Sequence, residues 1–114
     1  MAEDNCIFCK IVQGEVEADV VYDDEHVLAF HDINGRAPVH VLVIPKRHVA
    51  SLAEIGQLSD AETKRLFEAS EEVAEKLGVA KSGYAVRLNN GPDAGQEVFH
   101  LHLHVLGGER IGMP

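Results

Sequence analysis

His100-Leu101-His102-Leu103-His104-Val105-Leu106 is the stretch on which the reading of this chain turns. Side chains alternate across a strand with a period of two. As a strand, this run therefore lines three imidazoles along roughly 13 Å of one face and sets Leu101, Leu103 and Val105 on the other. On a helix the same stripe would scatter. The spacing thus predicts a strand with one apolar face for a core and one polar face for chemistry.

The rest of the composition sets bounds. At 114 residues and 46% apolar content the chain reads as one domain over 1–114 with a modest core. Ten Lys and Arg face nineteen Asp and Glu, a formal net charge of -9. The electrostatic attraction that dominates nucleic-acid or anionic-membrane binding is absent, so neither partner is expected. A small phosphate remains acceptable, because backbone N–H groups and glycine turns hold it without net positive charge. Met1-Ala2-Glu3-Asp4-Asn5 lacks the basic region and apolar run of a signal peptide, and no segment approaches a membrane span. A cytoplasmic location is the expectation.

Going outward from the histidine run, Asn89-Asn90-Gly91-Pro92-Asp93-Ala94-Gly95-Gln96 is dense in turn formers, and Tyr84–Leu88 before it reads as a strand. Ser59-Asp60-Ala61-Glu62 fits a capping box. It opens a helix whose apolar positions Leu66, Phe67, Ser70, Val73, Ala74 and Leu77 recur at helical spacing up to Gly78. Val39–Ile44 is nearly all apolar, as in a central strand covered on both faces, and Pro45 ends it. Val20–Tyr22 and Val27–Phe30 flank Asp23-Asp24-Glu25 as a hairpin. Cys6–Val12 is a short apolar helix or turn stopping near Gly14. The order predicts an α+β domain: an antiparallel sheet of about five strands, one long and one short helix, with the helices on one side.

Seven histidines are many for this length, and His40, His100, His102 and His104 all fall on expected strands. A single histidine on a strand is more often structural than reactive. Three on one face are different, since packing imidazoles together costs desolvation and gains little unless they bind metal or do chemistry. Two sharp readings compete, a three-histidine zinc site and a nucleophile with flanking acid–base partners. Residues two apart on a strand have Cα atoms about 6.6 Å apart, so the outer pair sits awkwardly for one metal. His102, the middle residue, is the better reactive centre.

The run His-apolar-His-apolar-His-apolar-apolar resembles the signature of the histidine-triad (HIT) superfamily of nucleotidyl hydrolases and transferases. The likeness continues through Cys6–Ile11, Leu28-Ala29-Phe30-His31-Asp32-Ile33, Ala37-Pro38-Val39-His40, Val43–His48 and Ala94-Gly95-Gln96. Leu106-Gly107-Gly108 and the short tail are similar to the Hint branch, which hydrolyses purine nucleoside phosphoramidates. The resemblance implies the HIT-like fold, with His102 attacking the α-phosphorus, expelling an amine and forming a nucleotidyl-histidine that water hydrolyses. Imidazole suits this task, being largely neutral at pH 7 and a good leaving group once phosphorylated. By the same resemblance His104 and His40 flank the nucleophile and help protonate the amine. Asp32 holds the ribose hydroxyls with Ile33 nearby. Phe8, Ile11, Phe30 and Leu42 form the purine slot, though Phe30 and Leu42 read equally well as core. Gly95 lets backbone N–H groups approach the phosphate, and Asn89 and Gln96 hydrogen-bond the ribose phosphate or the leaving group. No catalytic metal is expected. The family also implies a homodimer, built edge to edge through the strand near Tyr84–Leu88 and the long helix.

Cys6 and Cys9, the only cysteines, form a Cys-x-x-Cys. No strand precedes them, which disfavours a thioredoxin-like redox site. Several bacterial HIT proteins use such a pair with two histidines to bind structural zinc. The matching positions here are His48 and His100, and the competing reading is two buried free thiols.

Two positions depart from the family pattern. Glu97 stands where many Hint proteins carry a small hydroxyl residue, so its backbone N–H is expected to serve the site while its side chain turns to solvent. Met113 lies near the position of a tryptophan that in many members reaches across the dimer. The rival functions are a dinucleoside polyphosphate hydrolase on the same fold, a nucleotide-binding regulatory module, and a zinc-storage or zinc-sensing protein.

Overall fold

A computed structural model describes Glu3 and residues 5–112; Met113 lies outside the described residues. Five strands form one antiparallel sheet: β1 (Val20–Asp23), β2 (Val27–His31), β3 (Val39–Pro45), β4 (Tyr84–Arg87) and β5 (Leu103–Gly107), in the order β1-β2-β3-β5-β4. β3, the most apolar segment, lies at the centre, as a strand buried on both faces must.

The alternation along β3 divides two cores. Val41 and Val43 face one layer with Val27, Ala29, Leu103 and Val105, against which helix α2 (Asp60–Lys76) sets Leu66, Ala69 and Val73. Leu42 and Ile44 face the other, with Leu28, Phe30 and, from helix α1 (Ile7–Val12), Phe8 and Cys9. The expectation of both helices on one side is therefore corrected: α1 covers the face opposite α2. The capping box is present, Ser59 Oγ accepting from the Glu62 N–H and the Glu62 carboxylate accepting from the Ser59 N–H. Phe67 departs from its expected inward position and is 61% exposed, because it lies about 100° round the helix from the buried Leu66. A 3-10 turn over Leu52–Gln57 joins β3 to α2, a segment without the periodicity that would announce it.

The histidine run is only partly ladder. β5 pairs with β3 from Val43↔Leu103 through Val39↔Gly107, so His100, Leu101 and His102 run on past its start. In this register Leu101 would oppose Pro45, which has no N–H to offer. Leu101 donates to the Val49 carbonyl at 2.8 Å instead. The alternation survives beyond the ladder, and Leu101, Leu103 and Val105 all enter the core under α2. Gly108 follows at φ +91°, where a Cβ would sit 2.8 Å from Pro38 Cβ, so the tight exit from β5 requires glycine. Among the described residues no helix is long and apolar enough to cross a membrane.

Candidate active site and metal centre

The face of the sheet shared with α1 carries a cleft of about 930 Å³. Its apolar wall is Phe8 and Ile11 from α1 with Phe30 and Leu42 from the sheet, and its mouth holds Asp32, Ile33, Gly95 and Glu97. His102 and His104 line its floor. The volume is in the range of small-molecule sites. Phe8 stands edge-on to Phe30 at 5.4 Å between centroids and edge-on to His102 at 5.2 Å, so one ring closes both the apolar slot and one side of the imidazole. Phe30 and Leu42, ambiguous in sequence, serve both cleft and core.

Each histidine of the run is held differently. His102 Nδ1 donates to the His100 carbonyl at 2.7 Å. Its proton is thereby placed on Nδ1, and Nε2 keeps a lone pair. Burial pushes the His102 imidazole below its ordinary value, keeping that lone pair free. His104, whose ring centroid is 4.9 Å from that of His102, places Nδ1 2.9 Å from His40 Nε2. Burial, with the neighbouring His102 and His40, lowers His104 to about 4. His40 is 6% exposed and also pushed down by burial. Its Nδ1 accepts from the Arg36 N–H at 3.0 Å, and its Nε2 lies 3.4 Å from Asp32 Oδ2.

His100 faces away from this group. Its Nε2 donates to the Pro45 carbonyl at 2.8 Å, which leaves a lone pair on Nδ1, and burial lowers the ring to about 4. That Nδ1 lies 3.3 Å from Cys6 Sγ, 3.6 Å from Cys9 Sγ and 3.2 Å from His48 Nδ1, and Cys9 Sγ is 3.3 Å from His48 Nδ1. All four donor atoms lie within 4.8 Å of one another. Tetrahedral bonds of the usual zinc–nitrogen and zinc–sulfur lengths give ligand–ligand edges of about 3.3 to 3.8 Å. The donor set and spacing fit a metal ion. The four residues come from the α1 cap, α1 itself, the segment after β3 and the approach to β5, so one ion at this point would tie the chain beside the neighbouring strands β3 and β5 to the short helix.

Neither expected amide, Gln96 or Asn89, lines the cleft. Gln96 is 5% exposed, its Oε1 accepting from the Gly91 N–H at 2.8 Å and its Nε2 donating to the Ala50 and Val98 carbonyls at 2.8 and 3.1 Å. Its side chain pins the loop from within rather than reaching the cleft. Asn89 is half-buried and lies outside the residues lining the cleft. Gly95 does line it, at φ +85°. Glu97 has an exposed side chain at the rim. Val16, Glu17, Ala18 and Asp19, an irregular segment after α1, also line the cleft, as does Asn34 close to Asp32, and neither carries a motif that would mark it.

This constellation agrees with what the chain is similar to. A model of the HIT domain matches residues 13–111. The chain belongs to the HIT family. A histidine triad protein from Clostridium difficile superposes with a TM-score of 0.91 at 41% identity, covering 100% of this chain and 99% of that one. A HIT family hydrolase from Clostridium thermocellum gives 0.87 at 44% identity, with 99% and 98% covered. The purine nucleoside phosphoramidase of Escherichia coli K12 is 38% identical over 112 residues, 98% of this chain and 93% of the relative. As a HIT-family chain it carries the α+β fold expected of it, five antiparallel strands with one long and one short α-helix.

Proposed function

We propose that this HIT protein hydrolyses purine nucleoside phosphoramidates to a nucleoside monophosphate and an amine. The observation that carries the proposal is the Nδ1–H of His102 bonded to the His100 carbonyl, which leaves Nε2 as an unprotonated nucleophile at the floor of the cleft. In the first step Nε2 forms a bond to phosphorus and the phosphorus–amine bond breaks, the departing nitrogen taking its proton from solvent while His104 hydrogen-bonds beside it. In the second, water attacks phosphorus and gives up a proton to solvent, the phosphorus–Nε2 bond breaks and His102 is restored. The purine occupies the slot of Phe8, Ile11, Phe30 and Leu42, Asp32 receives the ribose hydroxyls beside Ile33, and backbone N–H groups around Gly95 and Glu97 meet the phosphate.

The cleft lining favours a phosphoramidate over a dinucleoside polyphosphate. It contains Glu17, Asp19, Asp32 and Glu97 and, among the described residues, no Lys or Arg side chain, so a polyphosphate leaving group would lack counter-charge. Incubating the protein with adenosine 5'-phosphoramidate should release AMP and give a nucleotidyl adduct by mass spectrometry, both abolished in His102→Ala. Absence of AMP release from the wild type overturns the proposal; faster turnover of a dinucleoside polyphosphate would favour the rival reading.

Structural zinc at Cys6, Cys9, His48 and His100 and a homodimer belong to the same proposal. When bound, zinc supplies cross-linking rather than chemistry, and the cytoplasm keeps its thiols reduced. The dimer is supported by β4, an edge strand with Val86 41% exposed, and by Phe67, one helical turn before Glu71, which accepts from the Tyr84 hydroxyl of β4. Light scattering at micromolar concentration should give twice the chain mass, and a monomer mass would refute the pairing.

A further inference from the structure

The chain of contacts behind His104 decides which of its ring nitrogens bears a proton. His40 Nδ1 faces the Arg36 backbone N–H at 3.0 Å. An amide N–H only donates, so this nitrogen must be an acceptor and the single proton of neutral His40 lies on Nε2. His40 Nε2 faces His104 Nδ1 at 2.9 Å, so His104 Nδ1 is in turn the acceptor and the proton of neutral His104 lies on Nε2. We infer that the backbone N–H of Arg36 is a positioning group of the active site, fixing through His40 the tautomer of His104 so that Nε2–H is the donor His104 offers.

The same chain resists an added proton. Protonating His40 on Nδ1 would set two N–H groups against each other at Arg36. Protonating His104 on Nδ1 would do the same at His40. The charged groups around the pair are few. Asp32, from the end of β2, lies 3.4 Å from His40 Nε2 and favours the cation, while the Arg36 side chain and His102 oppose it at His40. His102, His40 and Arg87 of β4 oppose it at His104, and Asp32 favours it. The lowered values of both rings, for which burial is the largest cause, agree with a neutral resting pair. The donated hydrogen bond of His104 is thus set by the main chain of Arg36, a residue that does not itself line the cleft. Its contribution to turnover rests on the function proposed above; the tautomer assignment does not.

Two measurements on the full chain test this. Long-range proton–nitrogen NMR of the free wild-type protein should show His40 and His104 both neutral and protonated on Nε2. A proton on Nδ1 of either ring overturns the inference, whether or not the protein proves to be a phosphoramidase. Arg36→Pro removes the N–H together with the side chain, whereas Arg36→Ala removes only the side chain. With adenosine 5'-phosphoramidate, Arg36→Pro should lower kcat at least about tenfold with little change in KM, and should let the histidine pair titrate at a higher pH. Arg36→Ala should restore kcat relative to Arg36→Pro and keep the wild-type tautomers. Equal kcat and equal titration in the two variants would refute the role of the N–H. If Arg36→Pro fails to fold, the wild-type spectrum still decides.

Discussion

If Cys6, Cys9, His48 and His100 hold a metal ion, removing it should release α1 and, with it, one wall of the cleft. This helix has six residues, well short of the ~12–15 that sustain an isolated helix, and it makes no ladder contact with the sheet. It is held by Phe8, a buried side chain contributing roughly 2–3 kcal/mol, and by Cys6 and Cys9 at their meeting with His48 and His100. Without an ion those four groups offer each other only thiol and imidazole hydrogen bonds, the thiol ones weak, with His100 Nδ1 as an acceptor among them. A metal present at about a thousand times its dissociation constant stabilises the native state by about 4 kcal/mol, which for a chain of this length raises Tm by roughly 15 °C. Circular-dichroism melts with one equivalent of zinc and with excess chelator should differ by that amount. Cys9→Ser with zinc should melt near the chelated wild type and respond little to chelator. Because α1 supplies Ile7, Phe8 and Ile11 to the cleft, AMP affinity measured by calorimetry should fall along with Tm. A wild type whose Tm moves by less than about 2 °C on chelation would show that the four residues are packed thiols and imidazoles rather than a structural centre.

Further expectations concern the parts of the fold that hold the site from behind. Arg65 on α2 bonds to Asp24 at 2.8 Å and to the Tyr22 hydroxyl at 2.6 Å, while Asp24 also accepts the His26 and Val27 N–H groups. Arg65→Met should therefore cost about 1–3 kcal/mol in urea unfolding without changing kcat/KM. Gln96→Leu removes three hydrogen bonds from the loop before the histidine run; a stability loss of roughly 2–4 kcal/mol is expected, and a lower kcat should accompany it as Gly95 loses its setting. Burial lowers His104 from 6.5 to about 4, so the unfolded chain takes up a proton that the folded chain refuses. Stability should be complete above about 6.5 and should drain away as pH falls toward 4. Urea midpoints across that window should fall less steeply in His104→Gln than in the wild type.

Much of this architecture could be read from spacing because it obeys one local rule at a time. The Ser59–Glu62 capping box, the 3.6-residue period of α2 and the unbroken apolar run of β3 each state their own structure. The side on which α1 packs does not follow from such rules. Six residues carry too little periodicity to choose between the two faces of a sheet, and the choice rests on contacts to His48 and His100, 39 or more positions away in the chain. Gln96 illustrates a second limit. An amide in a glycine-rich loop beside a histidine run fits ligand binding by type, yet its partners are the carbonyls of Ala50 and Val98 and the N–H of Gly91. A residue letter does not say whether a hydrogen-bonding side chain turns inward to its own main chain or outward to a ligand.

The histidines carry that limit to its end. His100 and His102 are spelled alike, sit two apart on one face, and present opposite ring nitrogens to their work: Nδ1 of His100 toward the cysteines, Nε2 of His102 toward the cleft. What separates them is which main-chain carbonyl takes the other nitrogen's proton, Pro45 for His100 and His100 itself for His102. Both carbonyls lie outside the β3–β5 pairing, which begins at Val43↔Leu103. Pro45 brings this about, since it lacks the N–H needed to extend the pairing to Leu101. Replacing Pro45 by valine would supply that donor and draw residues 100–102 into regular strand. In this register the new N–H would meet the Leu101 carbonyl, and the Leu101 N–H would turn to the carbonyl of residue 45, where it would compete with the His100 imidazole for the partner that fixes its tautomer. The proline that closes β3 thus helps to set which ring nitrogen His100 turns toward the cysteines.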